Sequence, residues 1–348
     1  MGPVHPTVTP ASVYAEVHRA VSGVLAWSDC KACVTRVRIV DLLVYMAAAA
    51  RTLSAAVVRR FPFRPETGRR AVHTQLPPAA ELTAGLAAAL HRVLAFSRLD
   101  RRRRTVAIDT HAVPDYGDRA TPGHAGGPKK GGTHSFFGYA TAVLLHRRRR
   151  CTVGLVDAAG LRPPEIVAAL FAQIDAHRLA VKGVVLDSAL GSEERMRVFA
   201  FAGWGGAAVA ECRRARLARR RYRERFAIET SYRQKNARRG WTTGRDPRYR
   251  LLLEGIAHLL RQVWVLLTEA IARVRKRKPT DWIGDFTGRD PIGRLRERLE
   301  RRDTASNAES RRPKTGWNKR GCRSEYCHAR GSCHTRIPIA PVYQAAQD

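Results

Sequence analysis

Two short apolar runs, each closed by an aspartate, constrain the fold more than any other feature of this chain. They are Thr105–Asp109 and Val181–Asp187. Runs this short and this apolar predict buried strands. Ser135–His146 and Cys151–Val156 predict two more strands, joined by the basic turn Arg147–Arg150, and a Gly-rich loop spans Gly117–Thr133. Pro163-Pro164 opens a helix running to about His177, because proline suits a first helical turn. Strands that alternate with helices predict a mixed α/β core over residues 105–272.

The flanks read differently. Residues 1–104 predict a helical region, with Ala/Leu/Val-rich segments at Val13–Trp27, Val37–Arg59 and Ala79–Phe96 separated by Pro62, Pro65 and Pro77-Pro78. Two long helices are expected after the strands, a basic one over Arg213–Arg238 and an apolar one over about Arg248–Arg273. Residues 273–348 predict a flexible basic tail. It holds eighteen Lys or Arg against eight Asp or Glu between Arg273 and Arg330, which no packed core requires.

Charge narrows the partners. The chain has 63 Lys and Arg against 30 Asp and Glu, a formal charge of +33. Such an excess attracts polyanions, and nucleic acid is the commonest of them. The 44% hydrophobic content excludes a wholly disordered basic protein. No membrane partner is expected: the uncharged stretch Leu42–Ala50 is closed by Asp41 and Arg51, far short of the ~20 residues of a span. Seven Cys, an odd number, with no export signal at the start, point to a reducing cytoplasm rather than a disulfide framework. The Cys30-x-x-Cys33 pair and the tail cluster Cys322, Cys327, His328, Cys333 and His334 fit no common zinc spacing.

Three acids stand out by position: Asp109 and Asp187 at strand ends, and Glu229 on the basic helix. Acids beside buried strands are costly unless compensated, and hard divalent cations such as Mg²⁺ or Mn²⁺ would compensate them. Capping of the turns after the strands would also account for either Asp alone. On the helix, Tyr222, Arg225 and Arg233 share a stripe with Glu229 at spacings of seven, four and four. That stripe would set one acid among phosphate-binding donors. Solvated i, i+4 Glu–Arg pairs would look the same in sequence. Between Glu211 and Gly240 twelve Lys or Arg meet three acids.

The segment Tyr222-Arg-Glu-Arg225-Phe-Ala-Ile-Glu229-Thr-Ser-Tyr-Arg233-Gln resembles the signature around the catalytic Glu of DDE insertion-sequence transposases, in the group with a Tyr, Arg, Glu, Lys signature. Thr242–Leu253 resembles the segment that follows it, and Ile-Asp109-Thr and Val-Leu-Asp187 resemble the strand ends with the first two acids. The resemblance covers roughly Thr105–Leu267. The family's Lys falls seven residues past the Glu, where this chain has Asn236, with Lys235 one step earlier. Ser188, Ala189 and Leu190 replace the Arg, Gly and aromatic usual after the second acid.

The resemblance implies an RNase H-like mixed sheet core, with Asp109, Asp187 and Glu229 as catalytic ligands of Mg²⁺, or Mn²⁺. It implies Tyr222 and Arg225 at a DNA phosphate, with Arg233 added from the helix stripe. The expected activity is transposition: cutting and joining double-stranded DNA at element terminal repeats and in target DNA, by a homodimer in a synaptic complex. A nucleoid-associated cytoplasmic location follows. Two alternatives remain at this point, a non-catalytic DNA-binding remnant and an RNase H-like nuclease.

Overall fold

A computed structural model describes residues 10–95, 103–117, 122–146, 149–186, 228 and 231–274. Among these residues the fold is mixed α/β, a five-stranded mixed sheet with eight helices. The helices in chain order are α1 (Pro10–Ser22), α2 (Arg36–Ala49), α3 (Leu53–Arg60), α4 (Pro65–His73), α5 (Ala79–Ala95), α6 (Pro163–Ala176), α7 (231–236) and α8 (Pro247–Val274). The strands are β1 (Arg104–Asp115), β2 (His124–Lys130), β3 (Thr133–His146), β4 (Arg149–Asp157) and β5 (Val181–Leu186).

β3 is the hub of the antiparallel part. It pairs with β1, with β2 and with β4. The chain then crosses through α6 and returns as β5, which lies parallel to β1 on its other side, so that Ile108 faces Leu186. α6 crosses the sheet where β4 has Gly154. A Cβ there would meet Leu170, Gln173 and Ala142 at 3.1 to 3.3 Å, so the missing side chain admits the helix. Gln173 uses that approach to bridge the Leu155 backbone, donating to its carbonyl and accepting from its N–H, both at 3.0 Å.

The strand expected to stop at Asp109 runs on to Asp115, paired throughout with β3. The reason is alternation: Ala107, Asp109, His111, Val113 and Asp115 share one face, and His111 and Asp115 find partners there. The expected Gly-rich loop holds β2, which turns into β3 through Gly131 and Gly132 at φ 60° and 86°, a left-handed pair that glycine adopts cheaply. The expected helix Val37–Arg59 is two helices. Ala50 takes φ 48°, and Thr52 caps α3 by accepting from Ala55 N. Pro65 does not merely break a helix but starts one, α4. The first helix stops at Ser22, short of Trp27. The expected helix after Pro163 and the last long helix match α6 and α8 within a residue or two. Of the expected Arg213–Arg238 helix, 228 and 231–236 are described as helical and 237–238 as a turn; the rest, like the tail from 275, lies outside the described residues.

α8 is the centre of the packing. Its 28 residues would span roughly 42 Å, and from Leu251 to Gln262 every residue is buried. A helix buried all round needs neighbours on every side. The sheet supplies one side and the N-terminal helices another. A Cβ on Gly255 would lie 2.3 Å from Leu86 of α5, and Gln262 donates to the Leu90 carbonyl at 2.8 Å. Residues from Val13 to Leu266 therefore join in one hydrophobic core. Among the described residues no helix is long and apolar enough to cross a membrane.

The packing of α5 gives a test. A Cβ on Gly85 would lie 2.2 Å from the Val24 carbonyl oxygen, which is backbone and cannot swing aside. Gly to Ala inside a helix ordinarily stabilises by about 1 kcal/mol. Here the sign reverses: Gly85→Ala is expected to cost about 1–3 kcal/mol, read as a lower urea midpoint at unchanged slope.

Candidate active site and its buried charge network

β1 presents Asp109, His111 and Asp115 toward α7 and α8. α8 answers with a polar stripe, Arg250, Glu254, His258 and Arg261, spaced four, four and three apart so that all lie on one side of the helix. α7 adds Tyr232 and Lys235, and Arg239 follows it.

Glu254 is the centre of this arrangement and is fully buried. Its Oε1 pairs with the Lys235 ammonium, which is equally buried. The same oxygen lies 2.7 Å from His111 Nε2 and 3.4 Å from His258 Nε2. Arg239 approaches Oε2 at 3.6 Å, too long for a hydrogen bond but close for charges. His258 Nδ1 lies 3.0 Å from the Thr152 hydroxyl on β4. The His111 ring stacks 4.5 Å from that of Tyr232, whose hydroxyl reaches Thr141 at 2.7 Å. Below them Arg261 donates to the Arg150 carbonyl and the Ser231 hydroxyl, both at 2.7 Å.

The charge states follow from the surroundings. Burial opposes ionisation of Glu254, but Lys235 and His111 outweigh it and hold the carboxyl well below the usual range. Burial pulls the Lys235 ammonium down against the pull of Glu254. Burial, then the Lys235 charge, lowers His111 from 6.5 to about 4. Burial lowers His258 as well. At neutral pH the network is thus one carboxylate, one ammonium and two neutral imidazoles. A carboxylate only accepts, so His111 donates through Nε2. Its Nδ1 then carries a lone pair, which has no hydrogen-bond partner.

His111, Glu254 and His258 form the one group of His, Cys, Asp and Glu side chains among the described residues close enough to hold a metal, with ligand atoms within 4.8 Å of one another. The donor set does not fit one. Lys235 already pairs with the Glu254 oxygen that an ion would need, so the lysine is the cation of this cluster. His111 is a hydrogen-bonded partner of Glu254.

Of the residues singled out from sequence, Asp109 and Arg233 are described. Asp109 is 8% exposed; its Oδ1 accepts from Thr110 N at 3.0 Å, and its backbone oxygen meets the Tyr232 hydroxyl at 3.5 Å. Arg233 is exposed on α7. Asp187, Tyr222, Arg225 and Glu229 lie outside the described residues. Their described neighbours are informative. Leu186, just before Asp187, pairs with Ile108, just before Asp109. Ile228, just before Glu229, is fully buried in a cluster with Ala107, Val143, Leu145 and Tyr232. Ile228, Ser231, Tyr232 and Lys235 are buried, and Arg233 and Asn236 are exposed.

Sequence reasoning passed over Glu254, His258, Arg250 and Arg261. Their signal was present as polar residues at helical spacing in an otherwise apolar segment. Lys235 was weighed only against the family's Lys position, and the structure gives it a buried partner instead. Arg150, at the end of the basic turn, is buried.

The network predicts two behaviours. Glu254→Gln leaves Lys235 buried without its counter-charge and is expected to cost about 3–5 kcal/mol; adding Lys235→Met should recover most of that loss. Urea unfolding of the single and double variants checks both. The imidazoles set a pH dependence. Their folded pKa values lie below the unfolded ones, so the unfolded chain binds protons first as pH falls. Their contribution is complete above about 6.5 and is lost as pH falls toward about 4. For His111 alone this amounts to about 3 kcal/mol. Unfolding midpoints measured across that window should drop, and His258→Gln should flatten the drop.

No protein-family model matches the chain, and neither a curated protein nor a solved structure matches it.

Proposed function

We propose that this protein is a metal-dependent DNA transposase with an RNase H-like core. The observation that carries the reading is the parallel pairing of β1 with β5. Its register ends at Ile108 opposite Leu186, and in the sequence each of these residues is followed by an aspartate. Ile228, which precedes Glu229 in the sequence, is buried with Ala107, two residues before Asp109, and this supports a site shared by the two acids. An antiparallel unit in which β3 pairs with β1 and β4, continuing through a crossover helix into a strand parallel to the first, is also the topology such a core calls for.

Asp109, Asp187 and Glu229 would hold the ions, because carboxylate oxygens are the hard donors that Mg²⁺ and Mn²⁺ select. When bound, a pair of such ions supplies activation of an attacking oxygen and stabilisation of the leaving one. The chain's own side chains position the DNA. Arg233 is exposed, and with Tyr222 and Arg225 it would neutralise backbone phosphates. The net charge of +33 supplies sequence-independent affinity that weakens as salt displaces it. Terminal-repeat and target DNA, a homodimeric synaptic complex and a nucleoid-associated cytoplasmic location belong to the same proposal.

The test is cleavage of end-labelled DNA carrying the sequences that flank the gene, with Mg²⁺, with Mn²⁺ and with EDTA. Wild type should nick at the element boundary only with metal. Asp109→Asn should lose on the order of 10²–10³-fold in rate while keeping salt-sensitive DNA binding. Cleavage without strand joining would identify a nuclease. Binding without cleavage by wild type would identify a non-catalytic remnant.

A further inference from the structure

The Cys30-x-x-Cys33 pair takes no part in the charge network or in the proposed metal site. It lies on the loop between α1 and α2. Val34 N donates to the Lys31 carbonyl at 2.8 Å, and Cys30 N donates to the Val34 carbonyl at 3.0 Å. The chain therefore reverses on itself within the motif. Both cysteines are free thiols, and they differ in access. Cys30 is exposed, whereas Cys33 is half-buried and packs against the hydrophobic core. Exchange between thiols and disulfides runs through a mixed disulfide and depends on access to each sulfur. An open sulfur can meet an outside disulfide, and a sheltered one three residues on can displace it.

The surroundings of Cys30 are built rather than loose. Its sulfur lies 3.9 Å from the Ala71 carbonyl of α4 and accepts from Gln75 Nε2 at 3.0 Å. Gln75 is itself fixed: Nε2 also donates to the Ala71 carbonyl at 3.0 Å, and Oε1 accepts from Ser28 N at 2.7 Å. Beside the sulfur opens a cleft of about 240 Å³ whose lining includes Lys31, Glu66 and Arg70. Sites that enclose a whole small molecule begin at about 300 Å³, so this one suits a single arm of such a molecule. Glu66 already pairs with Arg69. Lys31 and Arg70 are exposed, and among the described residues neither side chain has an ion-pair partner. A cationic cleft beside an open thiol matches a ligand that carries a carboxylate near its own sulfur.

We infer that Cys30 and Cys33 form a redox-active dithiol that exchanges with a low-molecular-weight disulfide bearing carboxylates, whose acidic arm lies on Lys31 and Arg70. The Cys30 thiolate attacks the nearer sulfur of that disulfide. The S–S bond breaks, and the leaving half takes the electron pair and a proton to become a thiol. Cys33 then attacks the Cys30 sulfur, forming the internal disulfide and releasing the second half as a thiol. The protein gives up two electrons and two thiol protons, and the small disulfide is reduced to two thiols. An excess of those thiols drives the reaction back.

The experiment treats the reduced full chain with oxidised glutathione, with cationic cystamine and with neutral hydroxyethyl disulfide. The reaction is quenched with acid, remaining thiols are alkylated in urea, and the cysteines are mapped by mass spectrometry. Oxidised glutathione should convert Cys30 and Cys33 of the wild type to an internal disulfide. Cys33→Ser should stop with one glutathione on Cys30, and Cys30→Ser should leave Cys33 a thiol. Arg70→Ala should slow the reaction with oxidised glutathione about 2- to 5-fold and leave hydroxyethyl disulfide and cystamine no slower. Cys30 is exposed, so Cys30→Ser should keep the wild-type melting temperature. Thiols at both positions that survive oxidised glutathione in the wild type overturn the inference. So does Cys33 of Cys30→Ser reacting as fast as Cys30 of the wild type. Equal slowing of all three disulfides by Arg70→Ala overturns the choice of ligand. Neither DNA nor metal enters the measurement, so it stands or falls apart from the transposase reading.

Discussion

The buried pair between Lys235 and Glu254 is the interaction on which the rest of this structure depends. Both side chains are withdrawn from water, and such a pair recovers its desolvation only when its remaining bonds are made. For Glu254 Oε1 they come from two other elements, His111 on β1 and Lys235 on α7, while Oε2 has no hydrogen-bond partner and faces Arg239 at 3.6 Å. A hydrophobic contact would tolerate sliding of one element on another. A carboxylate that must meet an ammonium and two imidazoles does not. The pair therefore fixes where the Lys235 helix sits along β1.

The cost of the network is met by the depth of its surroundings. α8 can bring four polar side chains to the sheet because its other sides are packed with Leu251, Leu252, Ile256, Leu259, Leu260 and Val263. Those sides need the N-terminal helices, which touch α8 through Leu86 at Gly255 and through Leu90 at Gln262. The helical N-terminal region is thus part of what buries the charge network. It shares one core with the sheet, and weakening its packing, as at Gly85, should reach the network through α8.

Elements with strong local signals were legible in the sequence. Pro163-Pro164 announced α6, the apolar run announced β5, and the long apolar segment after Pro247 announced α8. What was not legible depended on partners remote in sequence. β1 continues past Asp109 because His111 and Asp115 meet Glu254 and Arg250, more than a hundred residues away. β2 hides in a Gly-rich stretch because it is defined by pairing with β3. The break at Ala50 is a single left-handed residue in an alanine run that reads as uniform helix. In the candidate site, Asp109 was legible as a charge placed where a strand should be apolar. Glu254 carried the same kind of anomaly on a helix, but its meaning needed the lysine, and the lysine was measured against a spacing rather than against a partner.

β1 orders these parts in space. Residues alternate along a strand at ~3.3 Å each, so Asp109, His111, Val113 and Asp115 mark a line of about 20 Å on one face. Asp109 lies near one end, beside Ile108 and its partner Leu186. His111 joins the buried network in the middle. Val113 and Asp115 line an open cavity with Trp241 and Arg239. Arg239 belongs to both of the last two: it faces Glu254 on one side and Trp241 on the other.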